Sequence, residues 1–173
     1  MPREEIEDDI LPAFMSYYSR FEGYGFWAAI EKTAGEFIGW FHFRPLPGSP
    51  LDEPELGYRL RRKTWGKGYG TEGSRALIQK GFADLGVRRV VASTYQDNLA
   101  SRRVMEKSGM SLVRTYRLSP EELLEQFGVT APELFDGDDA EYAISKAEWE
   151  QRCHDAGGEG TDFPHHRRAR LIP

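Results

Sequence analysis

The sequence has almost no cysteine: Cys153 stands alone among 173 residues. That count excludes an intramolecular disulfide and a cysteine-rich metal site, and it fits a reducing, cytoplasmic compartment best. No run approaches the roughly 18 consecutive apolar residues of a membrane-spanning helix. The N-terminal MPREEIEDDI is acidic where a signal peptide is basic and then apolar. The expected protein therefore has no membrane partner and is not exported. Positive charge is also in short supply: 23 Lys and Arg against 28 Asp and Glu give a formal net charge of -5 and a sequence pI near 5.5. Proteins that grip a phosphate backbone usually carry a basic face, so no nucleic-acid partner is expected, although a local basic pocket stays compatible with the balance. Internal repeats are missing, and so is the GxxxxGK[ST] loop of phosphate-loop NTPases.

What is present reads as a folded chain. Apolar residues make up 39% and aromatics 13%, the composition of a globular protein. The length suits one domain, placed over residues 1–151. Residues 152–173 are read as a mobile C-terminal tail on their glycine, charge and HHRRAR run. Ile6, Ile10, Phe14, Tyr17 and Phe21 recur at helical spacing, with Pro12 marking a kink or restart. Phe26–Glu31 and Glu36–Phe43, separated by the turn-like KTAG, predict an antiparallel hairpin. A strand is expected at Glu55–Leu60, then a helix ending near Gly86, a strand at Arg89–Thr94 and a helix at Leu99–Ser108 capped by Asn98. Strands at Leu112–Leu118 and Asp139–Ser145 follow. Between them Ser119 with Glu122 and Thr130 with Glu133 form two capping boxes, predicting short helices. This order makes a mixed α/β sheet, with an antiparallel start and one parallel βαβ crossover.

The chemistry concentrates in RRKTWGKGYGTEG, residues 61–73, between a strand and a helix. Gly66, Gly68 and Gly70 let backbone approach a ligand closely, and the helix start leaves N–H groups unpaired at a positive dipole end. An anion suits that place. The dipole is worth only about 0.3–1 kcal/mol when exposed, so nearby Arg61, Arg62, Lys63 and Lys67 would share the work. Read blandly, the same loop is a solvated turn. Gly68–Gly73 also spells GxGxxG, but a dinucleotide fingerprint wants its strand directly before the first glycine, and Leu60 lies eight residues earlier.

ELGYRLRRKTWGKGYGTEG, followed one crossover later by DNLASRRVMEKSGM, resembles the two signature segments of the GNAT superfamily, in particular its RimJ/RimL-like branch. The closing EYAISKAEWE is similar to that branch's last strand, and the resemblance spans roughly residues 25–150. It implies a splayed, mostly antiparallel sheet with acetyl-CoA wedged between the strands at 55–60 and 89–94. It places the pantetheine arm on backbone at Arg59 and Leu60, the pyrophosphate on the N–H groups of Gly66, Lys67, Gly68, Tyr69, Gly70 and Thr71, and a further contact at Asn98, which can equally be a plain helix cap. The sequence departs from the pattern in three places. Thr64 and Trp65 precede Gly66 where a phosphate-binding Gln or Arg is usual. Met105 occupies the place of a tyrosine general acid. A first strand and helix before the helix at 4–21 have no room, which leaves two readings, a truncated start or an absent strand whose loss would expose a sheet edge.

The implied reaction is acetyl transfer from acetyl-CoA to a primary amine by direct attack through a tetrahedral intermediate, with no metal and no cysteine nucleophile. The acceptor is a protein N-terminal α-amine or a small-molecule amine. A lysine-type amine costs roughly 4.6 kcal/mol to deprotonate at pH 7, an α-amine only about 1. Glu55 is the candidate base and Ser101, in an N-x-x-S pattern with Asn98, the candidate proton donor to the thiolate. Each has an ordinary alternative, a solvated acid and a first-turn serine. Backbone N–H near Leu60 would hold the oxyanion, and residues 119–138 would form a flap beside the acceptor. A homodimer stays open beside a monomer. The competing readings are a catalytically inactive CoA-binding regulatory module and a dinucleotide-binding oxidoreductase domain.

Overall fold

The computed structural model describes residues 11–119, 137–155 and 168–173. Its elements are α1 (Leu11–Arg20), β1 (Gly25–Glu31), β2 (Phe37–Arg44), β3 (Glu55–Leu60), a 3-10 turn (Arg62–Thr64) and α2 (Tyr69–Asp84). They continue as β4 (Arg89–Tyr95), α3 (Leu99–Lys107), β5 (Ser111–Tyr116), β6 (Asp139–Ser145), α4 (Lys146–Asp155) and β7 (Ala169–Ile172). The strands form one sheet in the order β5-β6-β4-β3-β2-β1-β7, and among them only β3 and β4 run parallel. The expected mixed sheet with a single βαβ crossover is the observed one. The capping boxes and flap expected at 119–138, and the helical reading before Leu11, fall wholly or largely outside the described residues.

Side-chain alternation along the strands sorts the two faces. Trp27, Phe41, Phe43 and Leu56 point to one side and are buried beneath α2. Gly73 and Gly81 sit over the rings of Phe41 and Phe43, where any Cβ would collide, so the helix approaches the sheet closely. Each buried aromatic or aliphatic side chain here contributes about 1.5–3 kcal/mol. The alternate residues Phe26, Trp40, His42 and Arg44 face α1. Phe14 stacks on Phe26 at 3.5 Å between ring centroids, and Arg44 donates to the Tyr17 hydroxyl at 2.9 Å. Trp149 of α4 packs on Phe82 of α2.

Two expectations need correction at the chain's end. Residues 152–155 continue α4, and Ala169–Ile172 form β7, antiparallel to β1 with Ala28 opposite Ile172 and Glu31 opposite Ala169. The part of the expected tail that is described is therefore built into the fold. The edge of β1 that a missing first strand would expose is paired for the same reason: β1 offers free backbone groups on its outer side, and β7 satisfies them.

Candidate active site

β3 and β4 join at a single register, Glu55 to Val91, with Val91 N–H donating to Pro54 O at 3.1 Å. Beyond it they part. On the β2 side Arg61 N–H donates to Ile38 O at 2.8 Å, so strand alternation turns the backbone groups of Tyr58 and Leu60 the other way, into the opening. The sequence expectation needs adjusting on two counts. Arg59 directs its backbone to its partner Trp40 on β2, away from the gap. The Leu60 carbonyl is already taken by the Trp65 indole N–H at 2.9 Å, which leaves the Leu60 N–H and both polar groups of Tyr58 for the opening.

The glycine loop lies at the end of this gap. Gly66 and Gly68 adopt φ of +73 and +86, and an added Cβ at either would meet nothing within 4 Å. Only glycine takes such angles without strain, so loop backbone stands open to solvent. The first helical bond of α2 runs from Glu72 N–H to Gly68 O at 3.0 Å, leaving the N–H groups of Tyr69, Gly70 and Thr71 without an intrahelical acceptor. The Tyr69 side chain is buried, so that residue can offer a ligand its backbone only. Lys67 is exposed. Arg61 lies over the Phe37 ring, and Lys63 pairs with Glu36, which commits both cations to the β1–β2 hairpin. The GxGxxG reading loses its geometry, because the 3-10 turn separates β3 from Gly68 and Gly73 serves packing against Phe41.

At the start of α3 Asn98 accepts from Ser101 N–H at 3.1 Å and donates to Thr94 Oγ1 at 3.2 Å, so it is a helix cap tied to the end of β4. Ser101 Oγ shares a hydrogen bond of 3.0 Å with the Tyr58 hydroxyl, across the splay. Burial pushes the Tyr58 phenol above its ordinary value, with the Ser101 bond opposing, so the group stays protonated at neutral pH. Met105, buried in the core, offers no proton. Glu55 projects to the opposite face, where His42 Nε2 donates to Glu55 Oε2 at 3.1 Å. The His42 ring lies where a Cβ on Gly57 would stand. Tyr58 and His42 were not among the sequence candidates. The signal for Tyr58 is its place three residues after Glu55 on one strand, and for His42 the register of β2 on β3. Two cavities, of about 600 and 390 Å3, lie between α2 and the β1–β7 edge, while the features above gather at the β3–β4 opening.

Comparison with known proteins bears on this geometry. A family model described as an acetyltransferase (GNAT) domain matches residues 1–111. FsC-acetyl coenzyme A-N(2)-transacetylase of Aspergillus fumigatus is 32% identical over 133 residues, covering 73% of this chain and 52% of that protein. The Bacillus subtilis protein YkkB is 37% identical over 98 residues, 56% of this chain and 57% of its own length. The chain thus spans about half the length of these curated relatives. The ribosomal-protein-S5-alanine acetyltransferase of Vibrio fischeri superposes with a TM-score of 0.64 at 16% identity, covering 84% of this chain and 73% of that one, and shares the fold. Among the described residues no helix is long and apolar enough to cross a membrane.

Proposed function

Because the chain belongs to the GNAT acetyltransferase domain family, we propose that it transfers the acetyl group of acetyl-CoA to a primary amine by direct attack of the amine on the thioester carbonyl. The observation that carries this reading is the parting of β3 from β4 beyond Glu55 and Val91, next to an open helix start. An extended, amide-bearing arm suits the gap because it can pair with strand backbone as an added strand does. The backbone groups of Tyr58 and the N–H of Leu60 would hold it, and the loop N–H groups from Gly66 to Thr71 would hold phosphate.

Bound there, acetyl-CoA supplies an activated acyl group. On the α1 face, Glu55, oriented by His42, takes a proton from the amine. The Leu60 N–H, which meets the arm at its thioester carbonyl, stabilises charge on that oxygen in the tetrahedral intermediate. On the other face the Ser101–Tyr58 pair delivers a proton to the departing thiolate. Trp40 and Arg44, each half-buried on that face, lie beside Glu55 as an aromatic and cationic wall for the acceptor.

For the acceptor the favoured classes are a small-molecule amine and a protein N-terminal α-amine. The Aspergillus relative is named as an N(2)-transacetylase. The N-x-x-S pattern of Asn98 and Ser101 and the closing strand at 139–145 support reading the chain as RimJ/RimL-like. Calorimetric titration with acetyl-CoA, then thiol release and mass-spectrometric product detection across an amine panel, tests the reading. Binding with turnover on at least one amine is expected. Binding without turnover would make it an inactive CoA module, and NAD(H) binding without CoA binding would overturn the site.

A further inference from the structure

We propose that the residue leading into the C-terminal strand adds a side-chain contact to the acetyl-CoA phosphates beside that of Lys67, through the guanidinium of Arg168. The inference rests on the reading that this loop takes those phosphates. Thr64 and Trp65, just ahead of the glycines, are engaged: Thr64 Oγ1 donates to Arg61 O at 2.6 Å and the Trp65 indole to Leu60 O. Arg61 and Lys63 are committed to the hairpin.

Arg168 arrives from 101 residues away and is fixed on three sides. Lys32 N–H donates to its carbonyl at 2.9 Å, the next residue pairs with Glu31 across β1, and Ala169 N–H donates to Glu72 Oε1 at 3.1 Å in the first turn of α2. From that position Arg168 Nη1 donates to Lys67 O at 2.9 Å, on the loop between Gly66 and Gly68. A guanidinium carries five N–H donors in a planar fork suited to phosphate, and this bond uses one. The neighbouring carboxylates have other partners: Glu31 accepts from Ala34 N–H, Glu36 pairs with Lys63, and Glu72 accepts from Ala169. Among the described residues none forms an ion pair with Arg168. Its charge stands beside the open loop backbone, where a bound phosphate would meet it.

Arg168→Gln keeps a donor for Lys67 O and removes the charge, while Arg168→Lys keeps the charge and loses the fork. Each folded variant, checked by thermal melting, is titrated with acetyl-CoA and assayed with S-acetylpantetheine, which has no phosphates. Arg168→Gln is expected to raise the acetyl-CoA Kd roughly three- to tenfold, as for one exposed charge-assisted contact. Arg168→Lys recovers part of that loss, and the KM for S-acetylpantetheine stays unchanged in both. An unaltered acetyl-CoA Kd, or an equal loss on both acyl donors, would overturn the role. If Arg168→Gln does not fold, the Lys variant decides by the same comparison. Failure of the unsubstituted protein to bind acetyl-CoA would instead sink the underlying reading.

Discussion

Replacing Gly68 by valine tests the loop with a perturbation whose cost can be worked out beforehand. Gly68 caps α2 at φ +86 and ψ -4, and an added Cβ meets nothing within 4 Å. The internal cost is therefore backbone strain alone, about 1–2 kcal/mol for an L-residue in the left-handed region. Against a typical domain stability of about 5–15 kcal/mol the fold survives, with a fall in Tm of roughly 2–8 °C. The effect on binding is of a different kind. The new side chain occupies the space through which an anion reaches the N–H groups of the loop, and any relief of the strain rotates those groups away. A rise in the acetyl-CoA Kd of at least about tenfold, or about 1.4 kcal/mol, is expected. Gly48→Val is the matched control: φ there is +78, its Cβ position is also empty, and it lies in the loop before β3. It should lose similar stability and no affinity, by melting and by calorimetry on the same samples. A folded Gly68→Val that binds as tightly as the parent, or a Gly48→Val that weakens binding equally, refutes the assignment.

Two further outcomes follow from the hydroxyl pair and from the buried phenols. Ser101→Ala and Tyr58→Phe should each lower kcat and kcat/KM together by about 10- to 100-fold with acetyl-CoA affinity preserved, and the double variant should be little worse than the poorer single one, because the two act as a unit; full kcat in either single variant removes that residue from the proton path. Burial raises the phenols of Tyr18, Tyr24 and Tyr58 above the value near 10 that they take in the unfolded chain, so their contribution is complete below about pH 10 and is lost as pH rises through the folded values; denaturant titrations should show stability falling from about pH 10 upward, less steeply in Tyr58→Phe, and a flat profile to pH 11 would contradict it.

How much of this was legible in the sequence depends on how local each signal is. β3 at Glu55–Leu60 and β6 at Asp139–Ser145 match the sequence reading to the residue, because Pro54 and the Gly137–Asp138 turn lead into the two runs. The Asn98 cap was equally readable, since its hydrogen bond spans three residues. β7 was not. Four residues, Ala169–Ile172, within a basic stretch carry too little pattern to specify a strand, and what makes them one is the unpaired edge of β1, some 140 residues earlier in the chain. The order of the sheet was likewise beyond reach beyond the crossover, because pairing β5 with β6 rather than with β4 depends on contacts between distant segments.

The site divides along the same line, and the division bears on mechanism. The glycine loop and helix start are contiguous, so their capacity for an anion could be derived from sequence alone. Tyr58 and His42 could not be, because the first becomes a candidate only when α3 brings Ser101 to 3.0 Å and the second only when β2 is in register with β3. Yet one consequence was latent in the strand itself. Side chains three apart on a β-strand point to opposite faces and lie about 10 Å apart along it. Under the proposed reaction the amine must lose its proton on one side of the thioester while the thiolate gains one on the other. A single strand bearing an acid at one position and a phenol three residues on meets that demand without a second element, provided that its neighbour peels away between them. β3 and β4 do so: they hold together at Glu55 and are apart by Tyr58, which puts the opening between the group proposed to take the proton and the group proposed to return one.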